Sequence, residues 1–226
     1  MGKCYFVTAT DTDAGKTLVC SALLRAVADR RLVGLAMKPV AAGCTLTPQG
    51  LRNQDALKLL AQMAPLLSYE QVNPVALQPA IAPHLAAAKA GVSISATALA
   101  NYCRPIMRLE SDLCLIEGAG GWRVPLNSSE TWVDLVKQLQ IPVIVVVAVR
   151  LGCINHALLT VESILGDGVT LAGWVANQVE GGMPGVEGNL EALKNRIEAP
   201  LLGTIPYLEQ PDAADVVQCL NLQLLL

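Results

Sequence analysis

Six short runs that are apolar on consecutive residues constrain this chain more than any other feature. They are Cys4–Thr8, Leu35–Val40, Leu113–Glu117, Val143–Val149, Ala172–Ala176 and Leu202–Ile205. Apolar residues in succession, rather than at every second position, mark strands covered on both faces. Between the runs lie helix candidates at Lys16–Asp29, Asp55–Met63, Trp132–Gln140, Asn155–Leu165 and Asn189–Ile197. This alternation predicts an α/β fold: a parallel central β-sheet with right-handed crossovers, flanked by helices on both faces. Ligands of such sheets bind beyond the C-terminal strand ends, so residues at those ends are the first candidates for function.

Two stretches break the rhythm. Ala64–Pro83, with four prolines, reads as a long irregular excursion, and Glu180–Gly188 as a flexible loop. The strand pattern resumes after each, so neither is a domain linker, and residues 1–226 read as a single domain. Apolar residues at 53% and charged residues at 15% supply a large core and exclude disorder. Sixteen basic and 19 acidic residues, with aromatics at 4%, leave neither the basic surface nor the stacking platforms of a nucleic-acid binder.

The most apolar run, Ile141–Val149, is about half the length of a membrane-spanning helix. The N-terminal residues have no signal-peptide pattern, and Phe6 stands where myristoylation needs Ser or Thr. The seven cysteines form no C-x-x-C pair and read as buried thiols in a reducing compartment. A soluble, cytoplasmic protein is expected.

The most informative stretch is Tyr5–Ser21, where a β-run ends at Thr8 and Gly15-Lys16-Thr17 opens a helix. A phosphate-binding loop has this context. Backbone N–H groups at the helix start face phosphates, the lysine reaches the outer phosphates, and the threonine hydroxyl ligates Mg²⁺. A lysine at a helix N-terminus opposes the macrodipole, so an anionic ligand explains Lys16 better than an ordinary helix start does. The strict pattern would have glycine at position 10, which here is Thr10. Thr10-Asp11-Thr12 also lacks the second lysine of partitioning ATPases. Gly118-Ala119-Gly120 begins like a dinucleotide fingerprint, but Arg123 takes the place of its third glycine.

Lys38 and Glu117 lie toward the ends of the second and third runs, where a charge is costly without a partner. Lys38 either snorkels to solvent or meets an anion. Glu117 either binds metal or caps a neighbouring helix. Asp55 opens a helix, where a carboxylate is also favoured for capping alone.

Together these residues resemble the dethiobiotin synthetase family. The matching segments are Thr10-Asp11-Thr12-x-x-Gly15-Lys16-Thr17, Lys38-Pro39-Val40, Leu51-Arg52-Asn53-x-Asp55-Ala56 and Val72-Asn73-Pro74. Further along come Glu117-Gly118-Ala119-Gly120-Gly121-Trp122, Leu151-Gly152-Cys153-Ile154-Asn155-His156-Ala157, Gly173-Trp174-Val175-Ala176-Asn177 and Pro200-Leu201-Leu202-Gly203. They run through nearly the whole chain in one order.

The resemblance implies a P-loop nucleoside-triphosphate-binding fold and a reaction. ATP and CO₂ close the ureido ring of 7,8-diaminopelargonate (7,8-diaminononanoate), giving dethiobiotin, ADP and phosphate through a carbamate and a carbamic–phosphoric anhydride. It implies Lys16, Lys38 and Thr12 as catalytic residues and a Mg²⁺ held by Thr17, Asp55 and Glu117. Asp13, Ala14, Gly15, Leu18, Gly118, Asn177, Pro206 and Asp212 fall to the nucleotide, with Lys16, Thr17 and Glu117. Thr12, Lys38, Ala42, Gly120, Cys153, Ile154 and Asn155 fall to the diamine. The last three open a helix, a natural anion site for the substrate carboxylate. In the family the partner subunit of a homodimer supplies that helix start.

Two positions depart from the family pattern. Ala9 replaces a glycine before Thr10, so either the turn differs or no positive φ is needed there. Ala42 replaces a serine whose hydroxyl can reach the diamine or carbamate. Two other readings compete: a P-loop regulatory module without catalysis, and a related amidoligase. A degenerate module would be expected to lose some of Lys16, Lys38, Asp55 and Glu117. The amidoligases normally append a glutamine-hydrolysing domain, for which the roughly 50 residues after Asn177 are short. The two histidines, with no G-x-S-x-G elbow, do not suggest a hydrolase triad. The three tryptophans read as packing residues.

Overall fold

All six apolar runs form strands, and each sends its side chains alternately into two separate cores. Tyr5, Val7, Leu113, Leu115, Ile144 and Val146 face one core, while Phe6, Ile116, Val143, Val145 and Val147 face the other. The computed structural model describes residues 2–64 and 66–226; Met1 and Pro65, the latter inside the expected excursion, lie outside the described residues.

The chain runs β1 (Lys3–Ala9), α1 (Lys16–Ala28), β2 (Gly34–Met37), β3 (Val40–Ala41), β4 (Thr45–Thr47), β5 (Gly50–Arg52), α2 (Gln54–Ala61), α3 (Tyr69–Val72) and β6 (Val75–Ala76). It continues through α4 (Pro83–Ala90), α5 (Ala96–Met107), β7 (Leu113–Glu117), α6 (Trp132–Leu139), β8 (Val143–Val149), α7 (Cys153–Gly166), β9 (Leu171–Gln178), α8 (Val186–Lys194), β10 (Leu201–Ile205) and α9 (Ala213–Val216). The main sheet has the order β10-β9-β8-β1-β7-β2, and every pairing in it is parallel. α1 packs on one face through Val19, Leu23 and Val27, whereas Trp132 and Leu135 of α6 and Ala157 and Val161 of α7 cover the other.

Several boundaries differ from the sequence expectation, each for a local reason. The second run does not continue to Val40. Pro39 has no N–H to offer a ladder, so β2 stops at Met37 and Val40–Ala41 pairs with β6 in a separate two-stranded sheet. The excursion contains α3, nucleated by a capping box between Ser68 and Gln71, followed by β6. α4 is an alanine-rich helix with little apolar periodicity, and α5 carries Pro105 in its last turn, where proline reads as a break. α8 starts at Val186, inside the expected loop, because Gly185 caps it at φ 72. α7 starts at Cys153 after Gly152 at φ 90, so Asn155 lies in its first turn and is not its cap. Asn177 lies within β9, paired in register with Ala148 and Ile205, and does not follow the strand.

Candidate active site

β1 is central, and the turn after it is held from several sides. Thr10 donates its N–H to Val146 O (3.0 Å) and accepts at Oγ1 from the Ala148 N–H (3.1 Å), tying the turn to β8. Asp11 Oδ1 accepts the Thr12 N–H (2.7 Å), while its Oδ2 pairs with Arg150 Nη2. Asp13 adopts a left-handed φ of 57, which short polar residues tolerate. Gly15 follows at φ 91, and a Cβ there would come 2.2 Å from Asn177 Nδ2. Asn177 Nδ2 donates to Ala14 O (2.9 Å). Glycine is required at 15 both for its φ and for this close approach. No side chain caps α1, so its first N–H groups are left for an anion.

Four charged groups meet beside this loop. β7 places Glu117 in register with Val7 of β1, at 0% exposure. Lys38 Nζ lies 2.6 Å from Glu117 Oε1 and 2.9 Å from Asp55 Oδ2. Thr17 Oγ1 donates to the same Glu117 oxygen at 2.7 Å. Lys16 is buried, and its Nζ donates to Asp11 O at 3.4 Å. Burial lowers the pKa of Lys16, only partly opposed by Glu117. Burial alone would also lower that of Lys38, but Glu117 and Asp55 outweigh it and hold the ammonium above its ordinary value. Burial works against the Asp55 carboxylate too, and Lys38 reverses the effect, so the Asp55 pKa falls below its ordinary value. Of the open readings, Lys38 therefore meets anions and does not snorkel. Glu117 caps no helix: its side chain bonds Lys38 and Thr17.

Lys38 is positioned from behind by a segment whose role the sequence did not disclose. Its N–H donates to Val72 O (2.8 Å), and its carbonyl accepts from Asn73 Nδ2 (2.8 Å). Tyr69 donates its hydroxyl to Asn73 Oδ1 (2.9 Å), and Asn53 caps α2 so that Asp55 sits in its first turn. The loop after β7 is pinned by two indole groups: Trp132 Nε1 donates to Ala119 O and Trp122 Nε1 to Asp167 Oδ2, both at 2.9 Å. The tryptophans are buried as expected, and two of them also anchor this loop.

These groups line one open cleft of about 980 Å³ beyond the C-terminal strand ends. Thr12, Asp13, Gly15, Lys16, Thr17, Leu18, Lys38, Ala42, Asp55, Glu117, Gly120, Asn177 and Pro206 all border it. Ala14 is buried in the loop, and Gly118 donates its N–H to Val7 O (3.0 Å) at the end of β7. Asp212 stands next to the cleft residue Pro211, but its carboxylate caps α9 by accepting the N–H groups of Ala214 and Asp215. Cys153, Ile154 and Asn155 do not line this cleft. Sequence reasoning missed Lys58, one turn beyond Asp55, the rim at Ile81–Pro83, Val124, and Tyr207–Leu208. Lys58 had a signal in its helical spacing from Asp55; the rim lay hidden in the proline-rich stretch.

Two carboxylates and one hydroxyl converge here, and the buried Glu117 Oε2 has no hydrogen-bond partner. A hard cation such as Mg²⁺ fits that donor set, since it takes few protein ligands and leaves places for water and phosphate oxygens. Among the described residues no group of three or more His, Cys, Asp or Glu forms a fuller cage.

A parallel α/β sheet whose central strand feeds a Gly-Lys-Thr loop, with a buried acidic residue on the adjoining strand, defines a P-loop nucleotide-binding protein. A family model described as an AAA domain matches residues 3–215. Proteins named ATP-dependent dethiobiotin synthetase are 57% identical over 93% of this chain and 92% of their own length in Cellvibrio japonicus, and 54% identical over 97% and 96% in Pseudomonas aeruginosa. The chain belongs to the ATP-dependent dethiobiotin synthetase family.

Solved structures agree on the fold. The Aquifex aeolicus MinC:MinD cell division complex matches with a TM-score of 0.59 at 16% identity, over 96% of this chain and 85% of that one. A ParA family ATPase from Chlorobium tepidum matches at 0.58 and 11% identity, over 98% and 92%.

Proposed function

We propose that the cleft carries out the family's reaction: ATP-dependent closure of 7,8-diaminopelargonate with CO₂ to dethiobiotin, ADP and phosphate, a step of biotin biosynthesis. The observation that carries this reading is the meeting of Lys16, Lys38, Thr17, Asp55 and Glu117 in one cleft with Thr12 and Gly120.

The chemistry asks the protein mainly to position reactants and to neutralise charge on a transferring phosphoryl group. The uncapped start of α1, with Asp13, Ala14, Gly15 and Leu18, offers backbone N–H groups to the phosphates. Lys16 and Lys38 supply positive charge around the γ-phosphate. A carbamate formed from one amine and CO₂ attacks that phosphate, and the second amine then displaces phosphate to close the ring. Thr12, Lys38, Ala42 and Gly120 surround the amine end. Thr17, Asp55 and Glu117 would hold Mg²⁺, which supplies charge neutralisation across the phosphates. Asn177 and Pro206 flank the base, with Asp212 near that end, while Gly118 backs the phosphate end beside Glu117.

We also infer a homodimer in which Cys153, Ile154 and Asn155 of one subunit bind the substrate carboxylate of the other. Their helix start is not capped by a side chain and lies off its own chain's cleft, beside Leu151 at 90% exposure. A single domain over 1–226 is supported by one sheet drawing strands from Lys3 to Ile205. No helix among the described residues is long and apolar enough to cross a membrane, and the seven free cysteines suit a cytoplasmic location.

ADP release tests the reaction: it should require diaminopelargonate and bicarbonate together. Release that is indifferent to both would instead support a simple nucleotidase. For the dimer, Lys16→Ala protein mixed with Asn155→Ala protein should regain activity after subunit exchange. Confirmed exchange without recovered activity would place the whole site in one chain.

A further inference from the structure

We propose that Arg150 is a positioning residue for the phosphate loop and acts through Asp11. Arg150 follows the last residue of β8, immediately before the segment that opens α7. Its Nη2 pairs with Asp11 Oδ2 from 139 residues away in sequence. The other oxygen of the same carboxylate accepts the Thr12 N–H at 2.7 Å. The Asp11 carbonyl accepts from Lys16 Nζ at 3.4 Å. One ion pair therefore stands behind both Thr12 and Lys16, two residues on the cleft wall, while Arg150 itself does not line the cleft.

The pair is unsuited to a purely stabilising role. Its side chains are 32% and 45% exposed, and ion pairs so open to water add little to fold stability. The start of the turn is already tied to β8 through the Ala148 N–H and Thr10 Oγ1, which fixes the backbone without any charge. What the guanidinium adds is charge and direction. It neutralises a carboxylate standing in a loop built to receive phosphates, and it holds that carboxylate where it can order the Thr12 amide. Asp11 without Arg150 would present an uncompensated negative charge to an incoming polyphosphate.

The proposal rests on the assignment of this loop to the nucleotide, so its test reads nucleotide binding alone. Mg-ADP affinity is measured by titration calorimetry for the parent, Arg150→Met, Arg150→Lys, Asp11→Asn and the Arg150→Met/Asp11→Asn double variant. Arg150→Met should weaken ADP roughly tenfold, the scale of one charge-assisted contact, with little change in melting temperature. Arg150→Lys, which keeps the charge, should recover much of that loss. Asp11→Asn should cost less than Arg150→Met, because its side-chain oxygen still accepts the Thr12 N–H. The double variant should bind ADP better than Arg150→Met alone, since the uncompensated carboxylate is gone. Unchanged ADP affinity in Arg150→Met would overturn the proposal, as would strictly additive losses in the double variant. Should Arg150→Met fail to fold, Arg150→Gln carries the same expectations. A folded parent that binds no ADP would overturn the nucleotide assignment itself, and this proposal with it.

Discussion

Lys38 Nζ lies 2.6 Å from Glu117 Oε1, and that carboxylate has no exposure to solvent. The ammonium therefore serves two ends: it keeps a buried negative charge compensated, and it stands at the wall of the cleft where phosphoryl transfer is proposed. Removing it costs the fold as well as the reaction. Breaking one partner of a buried pair typically costs about 3–5 kcal/mol. Lys38→Met should thus lose turnover and also lower the melting temperature by roughly 6–20 °C for a chain of this size. The Lys38→Met/Glu117→Gln double variant should recover most of the stability and none of the activity. Calorimetry and ADP release measured on the same samples check both halves; full stability in Lys38→Met would show that Glu117 does not depend on it.

Asp55 gives a pH signature. Its folded-state pKa is held below the ordinary 3.8, chiefly by Lys38 acting against burial. A carboxylate with a depressed pKa adds stability that is present above its unfolded value and is lost as pH falls through its folded value. The stability difference between parent and Asp55→Asn should therefore be constant near neutral pH and move against the parent below about pH 4. Lys38 stays charged throughout that window, so it does not obscure the change. Denaturant melts of both proteins across the acid range read this directly; parallel curves would remove Lys38 as the partner of Asp55.

Gly15→Ala should damage the phosphate loop specifically. Its φ of 91 and the 2.2 Å approach to Asn177 Nδ2 both exclude a methyl group. Left-handed strain costs on the order of 1–3 kcal/mol, and relief requires Asn177 to leave Ala14 O. ATP affinity should fall at least tenfold with the fold retained, read by nucleotide titration alongside circular dichroism. Normal ATP affinity would mean that the loop does not hold phosphates in this conformation.

Ala42→Ser should tighten the diamine by up to about fivefold, the worth of one added neutral hydrogen bond, while the KM for ATP stays unchanged. Ala42 borders the cleft that Lys38 also lines, which places a new hydroxyl at the proposed amine end. A shift in the KM for ATP alone would assign this wall to the nucleotide.

The strands were legible because their residues are buried on both faces, so hydrophobicity is continuous from Val143 to Val149. The phosphate loop was legible because Gly15-Lys16-Thr17 is local in sequence. The Ala9 question also resolves locally: Ala9 is the last residue of β1 and is not among the residues with positive φ, so glycine is unnecessary there. What escaped the sequence depends on distant partners. The carbonyl of Lys38 is fixed by Asn73, and Asp11 by Arg150, pairs that no local pattern announces. α4 escaped for the opposite reason, its alanines being equally compatible with either face of a helix.

The most direct test of the central claim follows an oxygen atom. If the carbamate attacks the γ-phosphate, an oxygen that entered with bicarbonate leaves in the phosphate when the ring closes. In a single turnover with oxygen-labelled bicarbonate, Mg-ATP and diaminopelargonate, the released phosphate should carry the label while dethiobiotin forms in equal amount with ADP. Dethiobiotin formed alongside unlabelled phosphate would contradict phosphoryl transfer to the carbamate, and ADP formed without dethiobiotin would contradict the assigned reaction.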